Sequence, residues 1–233
     1  RLSLARDPAA TVRSGVAMSI RYDPLTSSQV RSLTKSLAAG LAKDVNILVR
    51  MALIQEGRLP AETYGILAQD VDRVIRQLVA AHPNTPMATL TILAADPEIV
   101  VRATALQHPH ADSQLLVQMA QTGGTRERIA LCANPNTPVS VLDNLALDAN
   151  PLVRKSAAAH PNMRLPTLRQ LFDDPDVSVL LAVASHPRAD RDLLTRLAFD
   201  DRDPGVRLMA QDRLEPLLRR EIRDDILERW QAN

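Results

Sequence analysis

A single spacing governs this chain. X-Pro pairs recur every 26 residues, at Pro83, Pro109, Pro135, Pro161 and Pro187, and the residues before them are His82, His108, Asn134, His160 and His186. Arginine keeps the same step at Arg50, Arg76, Arg102, Arg128 and Arg154. Leu180 continues that series, and Arg207 follows one residue late. Two independent markers in one register identify a tandem repeat, in which each unit buries its apolar face only by stacking on its neighbours.

The residue types inside the repeat argue for helices. Only Tyr22, Tyr64, Phe172, Phe199 and Trp230 are aromatic, so the core must be built from Leu, Val, Ile and Ala. Seven glycines and few alternating β-branched runs give no support to a sheet. Six full units fit the register: 49–74, 75–100, 101–126, 127–152, 153–178 and 179–204. Each begins with a short run, around an arginine in five of the six, that the X-Pro pair ends, because proline pushes the residue before it out of the α region. That run is compatible with α or 3-10 geometry. After an Asn-Thr-Pro turn in two units, where Thr85 and Thr137 are expected to cap, comes a helix of two to three turns. It carries a column of Tyr64, Leu90, Leu116, Leu142, Leu168 and Leu194. A second column, Leu67, Leu93, Met119, Leu145, Leu171 and Leu197, lies three residues on, and the next position is mostly alanine. Spacing of i, i+3 and i+4 places all three on one buried face.

Residues 1–48 read as an irregular N-terminal capping unit. Asp7-Pro8 before Val12-Arg13 looks like the start of a repeat, but Arg13 to Arg50 is one repeat plus 11 residues. Ser27 or Ser28 is expected to cap a helix running to about Ala42, with Leu33, Leu37 and Leu41 on one side. Residues 205–233 read as a degenerate repeat closed by an amphipathic helix over 216–231, with Leu218, Ile222, Ile226 and Trp230 in one stripe. Within the array, Asp70, Asp96 and Asp148 stand six residues before Arg76, Arg102 and Arg154, as Asp44 stands before Arg50. This pattern predicts a carboxylate–guanidinium ladder whose rungs, if exposed, contribute little each. Asp96 and Asp174, each before proline, are expected to cap the following helix. The third repeat replaces the Asp turn by Gln121-Thr122-Gly123-Gly124-Thr125. That reads as a bend or mobile loop, since no Lys-Ser or Lys-Thr follows to make a phosphate cradle.

Composition narrows the function. Twenty-eight basic residues against 27 acidic give a formal charge of +1, so no global field favours nucleic acid or acidic lipid. Lysine occurs only at positions 35, 43 and 155, a bias that fits a GC-rich genome. No apolar run approaches the roughly 20 residues of a membrane span. No signal peptide opens the chain, which starts at Arg1 without a methionine, and a cytoplasmic protein is the default expectation. Cys132 alone permits no internal disulfide, and its apolar neighbours read as a small buried slot. Equivalent histidines of stacked units lie roughly 8–10 Å apart, whereas zinc needs its nitrogens at about 2.0–2.1 Å. The His-Pro column therefore reads as capping residues rather than a metal array, and Asn134 in the same column agrees. No catalytic constellation stands out, so the chain reads as a non-enzyme.

Val153-Arg154 through Ala159-His160-Pro161, Asn134-Pro135-Asn136-Thr137-Pro138 and Leu142 through Leu145-Ala146-Leu147-Asp148 resemble the leucine-rich repeat variant family. The resemblance covers residues 49 to about 210, with HEAT repeats as the nearest rival. It implies an all-α, right-handed α-solenoid (superhelix) of about six to seven two-helix repeats, one helix α and the other short or 3-10. The family's known bacterial member also carries a 4Fe-4S cluster on an N-terminal cysteine-rich segment. No cluster ligand maps onto this chain, so any such cluster would have its ligands before Arg1.

Three functions follow as expectations. The first is a scaffold for protein–protein interaction. The second is an iron-sulfur or redox protein that presents an upstream cluster. The weakest is a helical-repeat nucleic-acid binder. The candidate partner surface is the arginine series Arg50, Arg76, Arg102, Arg128, Arg154 and Arg207.

Overall fold

In a computed structural model, which describes residues 3–55, 58–200 and 202–231, the chain is all-helical, with no strand among the described residues. The helices are α1 (Ala10–Met18), α2 (Ser28–Leu41), α3 (Ile47–Gln55), α4 (Ala61–Leu67), α5 (Arg73–Ala81), α6 (Met87–Leu93), α7 (Ile99–Gln107) and α8 (Ser113–Thr122). They continue as α9 (Thr125–Ala133), α10 (Val139–Leu145), α11 (Pro151–Ala158), α12 (Leu165–Gln170), α13 (Val177–Ser185), α14 (Arg191–Ala198) and α15 (Pro204–Gln231). From α3 onward the odd-numbered helices occupy the arginine position of the repeat and the even-numbered ones carry the leucine columns. The chain forms two compact units, Arg1–Leu116 and Val117–Asn233, divided within α8.

Both helices of a repeat are α-helical, which settles the alternative left open by the sequence. Among the described residues 3-10 geometry is confined to Leu4–Arg6 and Leu171–Asp173. The relative lengths differ from expectation. The arginine helices α5, α7 and α13 have nine residues, while the leucine helices α6 and α10 have seven. The cause lies in the caps. Asp72, Asn150 and Asp176 act as N-caps well ahead of the arginines, with side chains accepting from Val74 N, Leu152 N and Ser178 N. Proline, not threonine, is the N-cap of α6 and α10. Thr85 and Thr137 instead turn back, their hydroxyls donating to the Val79 and Leu131 carbonyls in the last turn of the preceding helix at 2.5 and 2.6 Å. Asp96 and Asp174 are not caps either: they turn the chain by accepting from Glu98 N and Asp176 N.

The leucine columns are buried as their period required. Leu90, Leu116, Leu142, Leu168 and Leu194 are fully enclosed, with Tyr64 in the first position, and Leu67, Leu93, Leu145, Leu171 and Leu197 lie beneath them. Met119 is only half-buried. In the first unit one continuous core runs from Val16 to Ala105. Successive arginine helices pack together, α1 on α3 and α5 on α7 in the first unit, α9 on α11 and α11 on α13 in the second. Their facing positions are small or β-branched, including Ile75, Val101, Ala105, Val153 and Ala157, so the backbones approach closely.

The ends of the array depart from the sequence reading. At the start, Ser27 caps α2 as expected, its side chain accepting from Val30 N, but Leu33 is half exposed. The terminal unit is also more regular than its spacing suggests. Arg13 donates to the Asp7 and Pro8 carbonyls and pairs with Asp44 through Nε at 2.6 Å, as the repeat arginines do with their own partners. It is a genuine repeat with eleven residues inserted between rung partners. At the other end, the helix expected to begin at 216 begins at Pro204 and continues through Pro216. Asp203 starts it, accepting from Gly205 N and Val206 N, and Val206 and Ala210 are buried. α13 and α14 both pack on it, and that packing outweighs the donor lost at Pro216. Leu218 is half-buried, whereas the side chains of Ile222, Ile226 and Trp230 lie outside the described residues.

In the third repeat, Gly123 is a packing requirement. A Cβ there would meet the Met119 carbonyl oxygen at 2.6 Å and the Glu127 Cβ at 2.9 Å. No helix among the described residues is long and apolar enough to cross a membrane.

Replacing Leu142 by Asp puts an unpaired charge in this core and should cost several kcal/mol. Replacing Arg169 by Ala removes an exposed pair with Asp190 and should stay within about 0.5 kcal/mol. Thermal unfolding of the two variants checks the buried face, and equal shifts would mean that it has been misassigned.

Candidate functional site

The arginine series is held within the fold rather than displayed. Arg76 is representative. Its Nε and Nη2 grip both oxygens of Asp96 at 2.6 and 3.1 Å, while Nη1 donates to the Asp70 carbonyl at 2.8 Å. The guanidinium thus bridges the turn six residues before it and the turn twenty residues after it. Arg154 does the same between the Asp148 carbonyl and Asp174, and Arg50 between the Asp44 carbonyl and Asp70. Arg128 uses the Gly123 carbonyl and Asp148, and Arg102 donates to the Asp96 and Pro97 carbonyls. Arg207 is half-buried on α15.

The ladder expected from the Asp-x₅-Arg spacing therefore exists, but the carboxylate partner is the next Asp along the chain. The earlier Asp contributes its backbone oxygen. The rungs are also far from exposed: the Arg76 and Asp96 side chains retain 11% and 4% of their accessible surface. A weak surface pair is the wrong description. Where the series fails, a neighbour replaces it. Leu180 cannot pair with Asp200, and Arg202 pairs with that carboxylate instead while its Nη1 reaches the Asp174 carbonyl at 3.3 Å. It also donates to the Phe172 carbonyl, and Arg196 lies 3.9 Å over the Phe172 ring. Nothing in the sequence periodicity pointed to Arg202, because it lies outside the 26-residue register.

These contacts set the charge states. The Arg13 hydrogen bond is the main cause holding the Asp44 carboxyl below the usual carboxylate range. For Asp96, burial is the largest single influence and pushes upward, but the Arg76 bond, the Glu98 N–H and two guanidinium charges together bring it below its ordinary value. Cys132 moves the other way: burial first, then the Asp148 charge, raises its thiol to about 12. A buried thiol so reluctant to ionise does not fit a cluster ligand, which must be a thiolate. As the one cysteine of the sequence, it could supply at most one of the four thiolates that a 4Fe-4S cluster takes.

The His-Pro column caps helix ends across repeats. His108 Nε2 donates to the His82 carbonyl at 2.9 Å, His160 to Asn134 and His186 to His160, each at 3.0 Å. Nδ1 of each ring accepts a backbone N–H two residues on, from His110, Asn162 and Arg188, at 3.0 Å. Asn134 reproduces this second role, its Oδ1 accepting from Asn136 N at 2.9 Å. Both ring nitrogens are engaged by the fold.

What remains accessible is a cleft that recurs in register. In the first unit, turns 42–45 and 69–71 bound a hollow of about 490 Å³, with Arg50 and Asp70 on its floor and Val45, Ile66 and Val71 on its rim. In the second unit, positions 104 residues later (four repeats) bound one of about 350 Å³, with Arg154 and Asp174 on the floor and Leu147, Gln170 and Pro175 at the rim. The rim residues stand in water, Val45 and Val71 at 93% and 94% and Leu147 at 72%. A separate hollow of about 400 Å³ lies against α2, lined by Ile20, Val30, Leu33 and Leu37.

The chain is similar to a solved structure described as a leucine-rich repeat variant with a novel repetitive protein structural motif. The two are 26% identical, with a TM-score of 0.59 over 90% of this chain and 88% of the other. The resemblance carried by the repeat residues is thus shown in three dimensions. No protein-family model and no curated protein matches the chain.

The ladder makes two measurable demands. Asp96→Leu strands a buried guanidinium and should cost about 2–3 kcal/mol, while Arg76→Met added to it should restore part of that loss, because the stranded charge is gone. Thermal unfolding of the single and double variants reads this directly. In acid, the depressed carboxyls make the unfolded chain take up protons first. The contribution of Asp44 and Asp96 is therefore whole above about pH 4 and declines below it, which a titration of the unfolding midpoint will follow.

Proposed function

We propose that this chain is a non-enzymatic repeat scaffold that holds an extended segment of a partner protein at the rim of a repeat cleft. The observation that carries the reading is the cleft itself, repeated at equivalent positions with an apolar rim and a charge-compensated floor. Isolated exposed aliphatic residues are ordinary on a surface. Val45 and Val71 stand together at the mouth of one cleft and Leu147, at the register position of Lys43, at the mouth of the other, and exposed aliphatic residues gathered at a cleft mouth mark an interaction site.

The geometry suits an extended chain. Stacked helices lie roughly 8–10 Å apart, and three residues of extended peptide span about 10 Å. A segment in polyproline II geometry returns a side chain to the same face every three residues, a rise of about 9 Å, and so keeps the step of the repeats. Arg50 and Arg154 already neutralise the floor carboxylates, so the occupant needs apolar side chains more than charge. The same pairing leaves fewer free guanidinium groups for a phosphate backbone, which supports a protein partner over nucleic acid.

The test is affinity capture from the source cell with the wild-type chain and with the Val45→Asp, Val71→Asp double variant. A specific protein should be retained by the first and reduced at least about tenfold with the second, with an unchanged unfolding midpoint. Equal retention by both, or recovery of nucleic acid that washes off with salt, would overturn the proposal.

A further inference from the structure

We propose that the histidine column is a proton-sensitive seam, which loosens one edge of the repeat stack in mild acid while the arginine ladder holds the other. The hydrogen bonds require it. Nδ1 of His108, His160 and His186 faces a backbone N–H, and Nε2 faces a carbonyl of the repeat before. A carbonyl can only accept and an N–H can only donate, so each ring is the neutral tautomer with hydrogen on Nε2. A proton added at Nδ1 would point at the N–H it now serves. That bond is lost, the turn after the X-Pro pair moves, and the bond from Nε2 to the neighbouring repeat moves with it.

Ladder and column sit at opposite ends of the same helices. In α5, Asp72 caps the N-terminus beside the arginine rungs and His82 ends the helix. Nine residues separate the two by about 13 Å. The edges therefore respond to different protonations, histidine at one and carboxylate at the other.

The surroundings favour the neutral rings. His108 faces His82 across the seam and His110 in its own turn, with ring centroids 5.0 Å apart for the latter pair. His186 faces His160 from the previous repeat, Arg188 in its own turn and Arg213 from α15, whose Nη1 donates to the His186 carbonyl at 2.5 Å. His160 lies between the Asn134 carbonyl and the Asn162 N–H, with His186 on its own carbonyl. His82 faces the Tyr64 hydroxyl at 3.0 Å and the Asn84 N–H. Burial first, then these basic neighbours, lowers the proton affinity of His82, His108 and His186, although the carbonyl bonds of the last two work in the opposite sense. With the folded values of His108 and His186 below the unfolded one, their part of the seam is whole above about pH 6.5. It weakens as the pH falls from there towards the folded values.

Asn134 supplies the control, because asparagine fills the column and accepts the same N–H without titrating. The experiment compares the unfolding midpoint of the full chain near pH 7.5 and pH 5 with that of the His108→Asn, His160→Asn, His186→Asn variant. The wild type should lose several degrees over that interval and the variant a small fraction of that. A flat wild-type profile, or an equal loss in both, overturns the proposal. If the triple variant does not fold, amide exchange of the wild type decides. Protection of the His110, Asn162 and Arg188 amides should fall in mild acid before that of Glu98, Asn150 and Asp176. Simultaneous loss at both edges, or none at either, also overturns it.

Discussion

Short helices leave many backbone groups without partners, and the whole structure answers to that constraint. An α-helix has four free N–H groups at its start and four free carbonyls at its end. With helices of seven and nine residues, those ends make up most of each element. A stack of such pieces is stable only if other groups satisfy them. Arginine, histidine, threonine and aspartate do so here: Arg76 on the Asp70 carbonyl, His108 on the His82 carbonyl, Thr85 on the Val79 carbonyl and Asp72 on the Val74 N–H. The polar residues keep the repeat's register because each serves a helix end.

This explains why the repeat tolerates some exchanges and compensates others. Asn134 replaces a histidine because it offers the same acceptor to the following N–H. Leu180 replaces an arginine, and the guanidinium then comes from Arg202, outside the register. In both cases the group at the helix end is maintained while the residue supplying it changes. The core columns are less exacting, since Tyr64 and leucine fill equivalent positions and both are enclosed.

The functional reading inherits this logic. Arg50, Arg76, Arg128 and Arg154, which looked available in the sequence, are paired with carboxylates in the fold, and the proposed reading therefore rests on the cleft rim. Val45, Val71 and Leu147 contribute nothing to the core beneath them. The likeness to a solved leucine-rich repeat variant extends over nearly the whole chain and supports a helical repeat scaffold.

Periodicity alone determined the repeat length, the helical class, the buried leucine faces and the existence of an arginine–aspartate ladder. Each of these is a one-dimensional pattern that a 26-residue step and a 3.6-residue turn impose together. Only the folded chain decided which aspartate each arginine grips, because Asp70 and Asp96 are both candidates for Arg76 until the repeats are stacked. It likewise turned Thr85 and Thr137 away from the helix they precede, replaced a missing arginine with Arg202, and carried α15 through Pro216. Those outcomes depend on which free carbonyl, carboxylate or apolar face comes within reach across repeats, and sequence spacing carries no such distance.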